Sequence, residues 1–186
     1  MYGTLLGARW AAEPLADGSG SQREREHAQA CALLRKLLNV DTLRLEHNAS
    51  GAPFLPDHPS LSVSISHCRR AVAVAVCHSG PVGIDIESRR RVGESLLQRV
   101  CSPDELASIH HADDPTICFL RLWTRKEAVL KCRGTGIRGY ESLRLALADS
   151  ACSVADIELP IPDVVAALAV GHPSTKPGNQ ALQSSI

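Results

Sequence analysis

The 186-residue chain lacks an excess of either charge: 20 Lys and Arg stand against 20 Asp and Glu. Such a balance excludes broad nucleic-acid binding and bulk attraction to an anionic membrane surface, so any basic site has to be local. No apolar run approaches transmembrane length, and Met1 to Trp10 has neither the charged nor the long apolar region of a signal peptide. A cytoplasmic location is expected on those grounds. The seven cysteines, at 31, 68, 77, 101, 118, 132 and 152, form no C-x-x-C pair and leave an odd one over. Reduced, mostly buried thiols are expected rather than a disulfide framework or a zinc site, and no nucleophile motif surrounds any of them. With 44% apolar residues the chain can bury a real core as one domain or two small ones.

What is there is organised around Phe119 to Ile137, FLRLWTRKEAVLKCRGTGI. The sequence predicts a helix whose N-terminus is capped by Asp114 with Pro115 at the first helical position, and which stops at Gly134. The helical period puts Phe119, Leu122, Trp123, Val129 and Leu130 on one side, with Arg121, Thr124, Arg125 and Cys132 opposite. Lys126 falls inside the apolar stripe and Glu127 toward its edge. Unpaired buried charge costs several kcal/mol by order of magnitude, so Glu127 needs a cation and Lys126 an anion. Structural ion pairs would meet that need as well as a functional site would.

A partner for Glu127 is expected in Val82 to Glu87, VGIDIE. Strand alternation places Val82, Ile84 and Ile86 on one face and Gly83, Asp85 and Glu87 on the other. Two carboxylates at i and i+2, about 7 Å apart along a strand, repel unless something positive lies between them. A hard divalent cation suits that gap. Mg²⁺ takes a few carboxylates together with phosphate oxygens and water, so Asp85, Glu87 and Glu127 are the candidate metal ligands. Lys131, one turn beyond Glu127, could reach a phosphate held there, or could simply pair with Glu127.

Elsewhere the chain reads as short elements. Met1 to Trp10 suits a strand, Ala11 to Gly20 a flexible connection, and His27 to Leu38 a helix with Cys31, Leu34 and Leu38 along one face and Asn39 as its stop. Arg23, Arg25, Arg35 and Lys36 flank it; a solvated face is expected for each, with a phosphate-binding role open for one or two. The loop Asn48 to Pro59 leads to a strand from Leu61, where Val63 and Ile65 alternate with Ser62, Ser64 and Ser66. Ser66 and His67 close that strand, so a hydroxyl, an imidazole and backbone N–H groups could meet a phosphate. Ala71 to Cys77 and then the acidic strand would continue an antiparallel meander. Ser88 to Arg91 reads as a solvated turn that could still meet an acidic partner, and Ser102-Pro103-Asp104-Glu105 as a capping box opening a helix to about His111. Further strands are expected at Leu143 to Leu147, Ile157 to Leu159 and Val164 to Val170, and a frayed tail from Ser174 to Ile186. AVAVAVCH at 71–78 lines up with VAALAVGH at 165–172. The expected fold is therefore α+β, with residues 1–81 and 82–173 as two similar halves, each a helix on a small antiparallel sheet, forming a pseudo-dimer.

VGIDIE followed after a helical spacer by LWTRKEAVLKCRGTGI closely resembles the signature of the 4′-phosphopantetheinyl transferases, in the Sfp-like branch with a tryptophan before K-E-A. Gly51-Ala52-Pro53 resembles the family's G-K-P segment, LSVSISH at 61–67 its S-x-S-H, and Ser102 to Glu105 the helix start between the two acidic motifs. The resemblance runs from about His27 to Pro173. It implies a pseudo-dimeric fold with coenzyme A in the cleft, and transfer of the phosphopantetheine arm to a serine of an apo acyl or peptidyl carrier protein, releasing 3′,5′-bisphosphoadenosine. It further implies Mg²⁺, or Mn²⁺, on Asp85, Glu87 and Glu127. Glu127 would be the base, directly or through a metal-bound water, with Lys131 on the pyrophosphate, Ser66 and His67 on the 3′-phosphate, and Gly51 and Pro53 beside the coenzyme. Lys126 would orient rather than react. No nucleic acid or membrane partner is implied, and a monomer is expected. Ala52 stands where the family has lysine, and the basic arm before the first helix looks shortened; both point to altered coenzyme affinity. A non-catalytic carrier- or coenzyme-binding relative and another Mg²⁺-dependent phosphodiester enzyme stay open as alternatives.

Overall fold

The computed structural model describes residues 1–136, 139–148 and 151–172, so the expected tail at 174–186 lies outside the described residues. The chain begins with a hairpin, β1 (Tyr2–Leu5) and β2 (Ala8–Pro14). Leu6 and Gly7 both take positive φ, 53° and 80°, the backbone that a tight two-residue turn between antiparallel strands requires. That turn divides the strand expected over Met1 to Trp10, and β2 takes up part of the expected connection.

Helix α1 (Gln22–Leu38) starts earlier than its apolar period suggests, because Ser21 and Glu24 form a capping box, and it ends at Asn39 with φ 58°. Leu33, Leu34 and Leu37 are its buried apolar side chains, together with Ala30; Cys31 is only partly covered. A small hairpin, β3 (Glu46–His47) with β4 (Pro53–Phe54), carries the Gly51 turn. Then follow β5 (Ser62–Cys68), β6 (Ala71–Cys77) and β7 (Val82–Ser88). Next come α2 (Glu94–Val100), α3 (Pro103–His110), α4 (Pro115–Cys132) and α5 (Tyr140–Arg144). The last two strands are β8 (Cys152–Ile157) and β9 (Val164–Gly171).

Among the described residues the strands form two larger antiparallel sheets, of order β1-β2-β6-β5 and β7-β9-β8. The expected meander stops at β6, because β7 leaves the first sheet and opens the second. The two apolar runs that line up in sequence, β6 and β9, are each an inner strand of a sheet. Both are buried on both faces, which is why they read as continuous apolar runs instead of alternating ones. Ala71, Ala73, Ala75 and Cys77 face Ile84, Ile86, Ala166 and Leu168 across the middle of the molecule. Val72, Val74 and Val76 face Leu33, Leu34 and Leu37 of α1, and Ala167 and Ala169 face Ala128, Val129 and Cys132 of α4. The layers are thus α1, first sheet, second sheet, α4, with α2, α3 and α5 packed beyond α4.

Three further sequence expectations fail here, the first being the strand at Ile157 to Leu159: β8 runs from Cys152 to Ile157 and ends where that expected strand begins. Leu143, Leu145 and Leu147 alternate like a strand, yet Tyr140–Arg144 is a short helix, with Leu143 and Ala146 buried and Leu145 exposed. The α4 stripe is wider than expected: Thr124 and Cys132, assigned to the open face, are buried, because α4 is covered by the second sheet on one side and by short helices on the other. All seven cysteines are free thiols, Cys77, Cys101 and Cys132 buried and the others partly so. Among the described residues no helix is long and apolar enough to cross a membrane.

Candidate active site

The site is positioned by a close approach of α4 to β7. A Cβ at Gly83 would lie 1.9 Å from the Ala128 carbonyl oxygen and 2.6 Å from the Cys132 nitrogen. Only hydrogen fits between strand and helix there. That contact sets Glu127 and Lys131 beside the polar face of β7, where the sequence places Asp85 and Glu87. Asp114 caps α4, accepting from the Ile117 N–H with Pro115 at the first turn, and Gly134 follows the helix at φ 66°.

Asp85 is buried, 6% exposed. Its Oδ1 accepts from Lys131 Nζ at 2.7 Å and from Ser66 Oγ at 2.8 Å, while Oδ2 is buried without a hydrogen-bond partner. Lys131 Nζ also donates to the Ile84 carbonyl at 3.1 Å. The expected alternative of Lys131 pairing with Glu127 is therefore replaced by pairing with Asp85. Among the described residues no cation lies within ion-pair distance of Glu127. Burial first, and then the neighbouring Asp85 and Glu87 charges, raise the Glu127 carboxyl to about 7, against the opposing pull of Lys131. Glu87 is held by Arg90, whose Nε lies 3.4 Å from Oε2, and the Arg90 guanidinium sits 6.0 Å from the centroid of the Trp123 ring. Part of the turn read as solvated is thus engaged with the site.

Glu127 feels the charges of Asp85 and Glu87, and an orphaned buried oxygen at Asp85 is what a hard cation would satisfy; the donor set fits Mg²⁺ or Mn²⁺. Among the described residues the three carboxylates do not converge into a preformed metal cluster. Lys131 and Arg90 instead balance Asp85 and Glu87.

Lys126 finds its anion elsewhere. Its side chain is 1% exposed and Nζ donates at 2.7 Å to both Glu105 Oε2 and the Val100 carbonyl. Glu105 is the third residue of α3 and closes its capping box, so the helix start legible in the sequence also supplies the partner of Lys126. This ion pair ties α3 to α4.

Ser66 and His67, expected at one phosphate, point to opposite faces of β5. Ser66 is committed to Asp85, whereas His67 lines a cavity of about 940 Å³ together with Gly51, Pro53, His27, His47 and Arg23. His67 Nδ1 lies 3.3 Å from Oε2 of the buried Glu26. Of the flanking cations, Arg25 Nη1 is turned to the Gly20 carbonyl at 2.8 Å and Arg35 lies near the other end of α1 with Lys36 and Asn39. The sequence reading missed Arg90, His27 and His47; Arg23 was among the cations for which a phosphate-binding role was open. The wide spacing of α1 from the Gly51 loop in the chain concealed His27, and no motif around His47 marked it.

Ser66 is one rung of a regular seam. Ser62, Ser64 and Ser66 Oγ accept from the backbone N–H groups of Val82, Ile84 and Ile86 at 3.1, 3.0 and 3.3 Å. Edge strands β5 and β7 of different sheets are joined by hydroxyls where a backbone ladder would otherwise be needed.

Residues 81–162, which hold both acidic motifs, match the model of the 4′-phosphopantetheinyl transferase superfamily. The chain is similar to 4′-phosphopantetheinyl transferase AcpT of Escherichia coli K12, 33% identical over 147 residues, covering 72% of this chain and 74% of that protein. The chain belongs to the 4′-phosphopantetheinyl transferase superfamily. Within that superfamily it is also similar to 4′-phosphopantetheinyl transferase Sfp of Bacillus subtilis 168, 28% identical over 151 residues, 73% of this chain and 66% of Sfp. Another Bacillus subtilis 4′-phosphopantetheinyl transferase is 36% identical over 89 residues, 47% of this chain and 39% of that protein. The chain thus spans well under half of one Bacillus relative and about two thirds of the other. Asp85, Glu87, Glu127 and Lys131 all fall within the part that matches the family model.

Proposed function

We propose that this chain transfers the 4′-phosphopantetheine arm of coenzyme A to a serine of an apo acyl or peptidyl carrier protein, releasing 3′,5′-bisphosphoadenosine. The observation that carries the reading is Asp85: one carboxylate oxygen is fastened by Ser66 and Lys131, and the other is buried and unpartnered, while Glu127 feels the charges of Asp85 and Glu87.

In this reading Asp85, Glu87 and Glu127 hold Mg²⁺ or Mn²⁺. The ion would neutralise charge on the leaving bisphosphate and polarise the phosphorus under attack. The carrier serine oxygen forms the new bond to that phosphorus as the bond to the bisphosphoadenosine oxygen breaks. Glu127 takes the serine proton as general base. Lys131 keeps Asp85 oriented and adds positive charge beside the pyrophosphate. His67, Gly51 and Pro53 take the adenosine-phosphate end of coenzyme A in their cavity, with Arg23 as the fixed cation there. The halves 1–81 and 82–173 act as a pseudo-dimer: β2, α1, β5 and β6 on one side match β7, α4, β8 and β9 on the other, each with its last strand in the middle of the set. A cytoplasmic monomer goes with this reading.

The test is to incubate the chain with coenzyme A, Mg²⁺ and an apo carrier and to weigh the carrier by mass spectrometry. The expected result is a carrier heavier by one phosphopantetheine, dependent on Mg²⁺. Carrier or coenzyme binding with no mass gain would favour a non-catalytic relative. Coenzyme cleavage without loading would favour another phosphodiester enzyme.

A further inference from the structure

The geometry points to Ser66 as a positioning residue for the metal-binding carboxylate, rather than as a ligand of the coenzyme phosphate. The inference rests on reading Asp85 as a metal-holding group.

Ser66 is 5% exposed, and the one proton of its hydroxyl is already given. It donates to Asp85 Oδ1 at 2.8 Å and accepts from the Ile86 N–H at 3.3 Å. A hydroxyl has one proton to give, so no donor is left for a phosphate. The side chain also lies on the face of β5 opposite His67 and its cavity. A phosphate seated by His67 is therefore on the wrong side of the strand for Ser66.

What the hydroxyl does instead is choose between the two oxygens of Asp85. Ser66 and Lys131 approach the same atom, Oδ1, from β5 and α4. Together they fix the carboxylate plane and leave Oδ2 as the one oxygen without a partner. Asp85 is thus presented as a single-oxygen ligand with its orientation set before any ion arrives. Partners of this kind, one bond removed from the ion, typically govern metal affinity by 10- to 100-fold as an order of magnitude. Ser64 provides an internal control. It is equally buried, 4% exposed, and accepts from the Ile84 N–H at 3.0 Å, yet it touches no carboxylate.

The experiment counts bound Mn²⁺ by electron paramagnetic resonance, with saturating coenzyme A and no carrier, so that no turnover occurs. Four chains are compared: the wild type, Ser66→Ala, Ser64→Ala and Asp85→Ala. Melting temperatures are taken alongside. The expected result is Mn²⁺ affinity about tenfold or more weaker in Ser66→Ala, near wild type in Ser64→Ala and lost in Asp85→Ala, with the two serine variants melting alike. Ser66→Thr, which keeps the hydroxyl, should recover much of the affinity. The dissociation constant for coenzyme A, measured in metal-free buffer, should be the same for Ser66→Ala and wild type. Wild-type Mn²⁺ affinity in Ser66→Ala, with Asp85→Ala broken, overturns the inference alone. So does a weaker coenzyme A affinity confined to Ser66→Ala. Wild-type Mn²⁺ binding by Asp85→Ala, or no Mn²⁺ binding by the wild type, overturns the reading of Asp85 beneath it.

Discussion

Helices α1 and α4 each cover a face of one sheet, and the two contacts are made differently. Against the first sheet α1 uses Leu33, Leu34 and Leu37 on Val72, Val74 and Val76. Side chains of that size keep the helix at arm's length, and near its N-terminal half polar residues surround an open cavity. Against the second sheet α4 rests on Gly83, Ala167 and Ala169 through Ala128 and Val129. The small residues let the backbone come down until it touches the strand, and further helices cover its other side. The carboxylates proposed for the chemistry sit at the tight contact, and the cavity proposed for the coenzyme is left at the loose one.

If that division holds, breaking the tight side should cost rate and breaking the loose side should cost affinity. The largest effect is expected from Asp85→Ala, which should lower transfer by orders of magnitude in a mass-spectrometric loading assay. The fold should survive, because Lys131 keeps its bond to the Ile84 carbonyl and is 30% exposed. His67→Ala, on the loose side, should raise KM for coenzyme A and leave kcat close to wild type.

Gly83→Ala comes next. The new methyl has no space beneath the Ala128 carbonyl, so α4 must lift, at a cost of about 3 kcal/mol or more in denaturant unfolding, since backbone cannot give way as a side chain can. The same substitution at Gly51 meets no atom within 4 Å. It should cost only about 1–2 kcal/mol, for its positive φ.

Glu127→Gln sharpens the comparison by pH. The folded carboxyl is raised from 4.5 to about 7, so the folded chain holds a proton that the unfolded chain has released between those values. Stability of the metal-free protein from this group is then fully present below about 4.5 and declines as pH rises toward 7. Glutamine cannot ionise. The melting temperature of Glu127→Gln minus that of wild type should therefore grow from pH 5 to pH 8 in chelated buffer, while transfer is lost. A difference that is flat with pH would deny the raised value.

The smallest effect belongs to Ala52→Lys on the loose side. Gly51 and Pro53 line the cavity but Ala52 is held by backbone bonds to Asn48, so an added ammonium would work from the rim. KM for coenzyme A should fall by a few-fold at low salt, equivalent to about 1 kcal/mol or less, and the gain should fade as salt is added. No change at low salt would mean that the loop does not border the coenzyme.

The tight side was the more legible in sequence, because its signals are local. Both ends of α4, the alternation of β7 and the Ser102 capping box each follow from a few neighbouring residues, and all three hold. What escaped depends on residues far apart in the chain. The partner of Lys126 lies on another helix, and the partner of Lys131 is Asp85, on a strand 46 residues away, rather than Glu127 one turn away. Alternation in β5 correctly separated Ser62, Ser64 and Ser66 from Val63 and Ile65. It could not say that the serine face is closed by another sheet, since serines on an open face would alternate in the same way. At Leu143 to Leu147 three leucines at period two were too few to tell a strand from a short helix, and the packing of Leu143 and Ala146 against the helical cluster decided it.

The serine seam between β5 and β7 has one more consequence, for hydrogen exchange. Gly83, Asp85 and Glu87 lie opposite Ala169, Ala167 and Val165 within the second sheet, so their protection follows the opening of that sheet. The amides of Val82, Ile84 and Ile86 are bonded to side chains of the first sheet, and their protection lasts only while the two sheets are together. Alternate residues of a single strand thus report two different openings. A state in which the halves part but each stays folded would exchange the even-numbered amides of β7 and spare the odd ones.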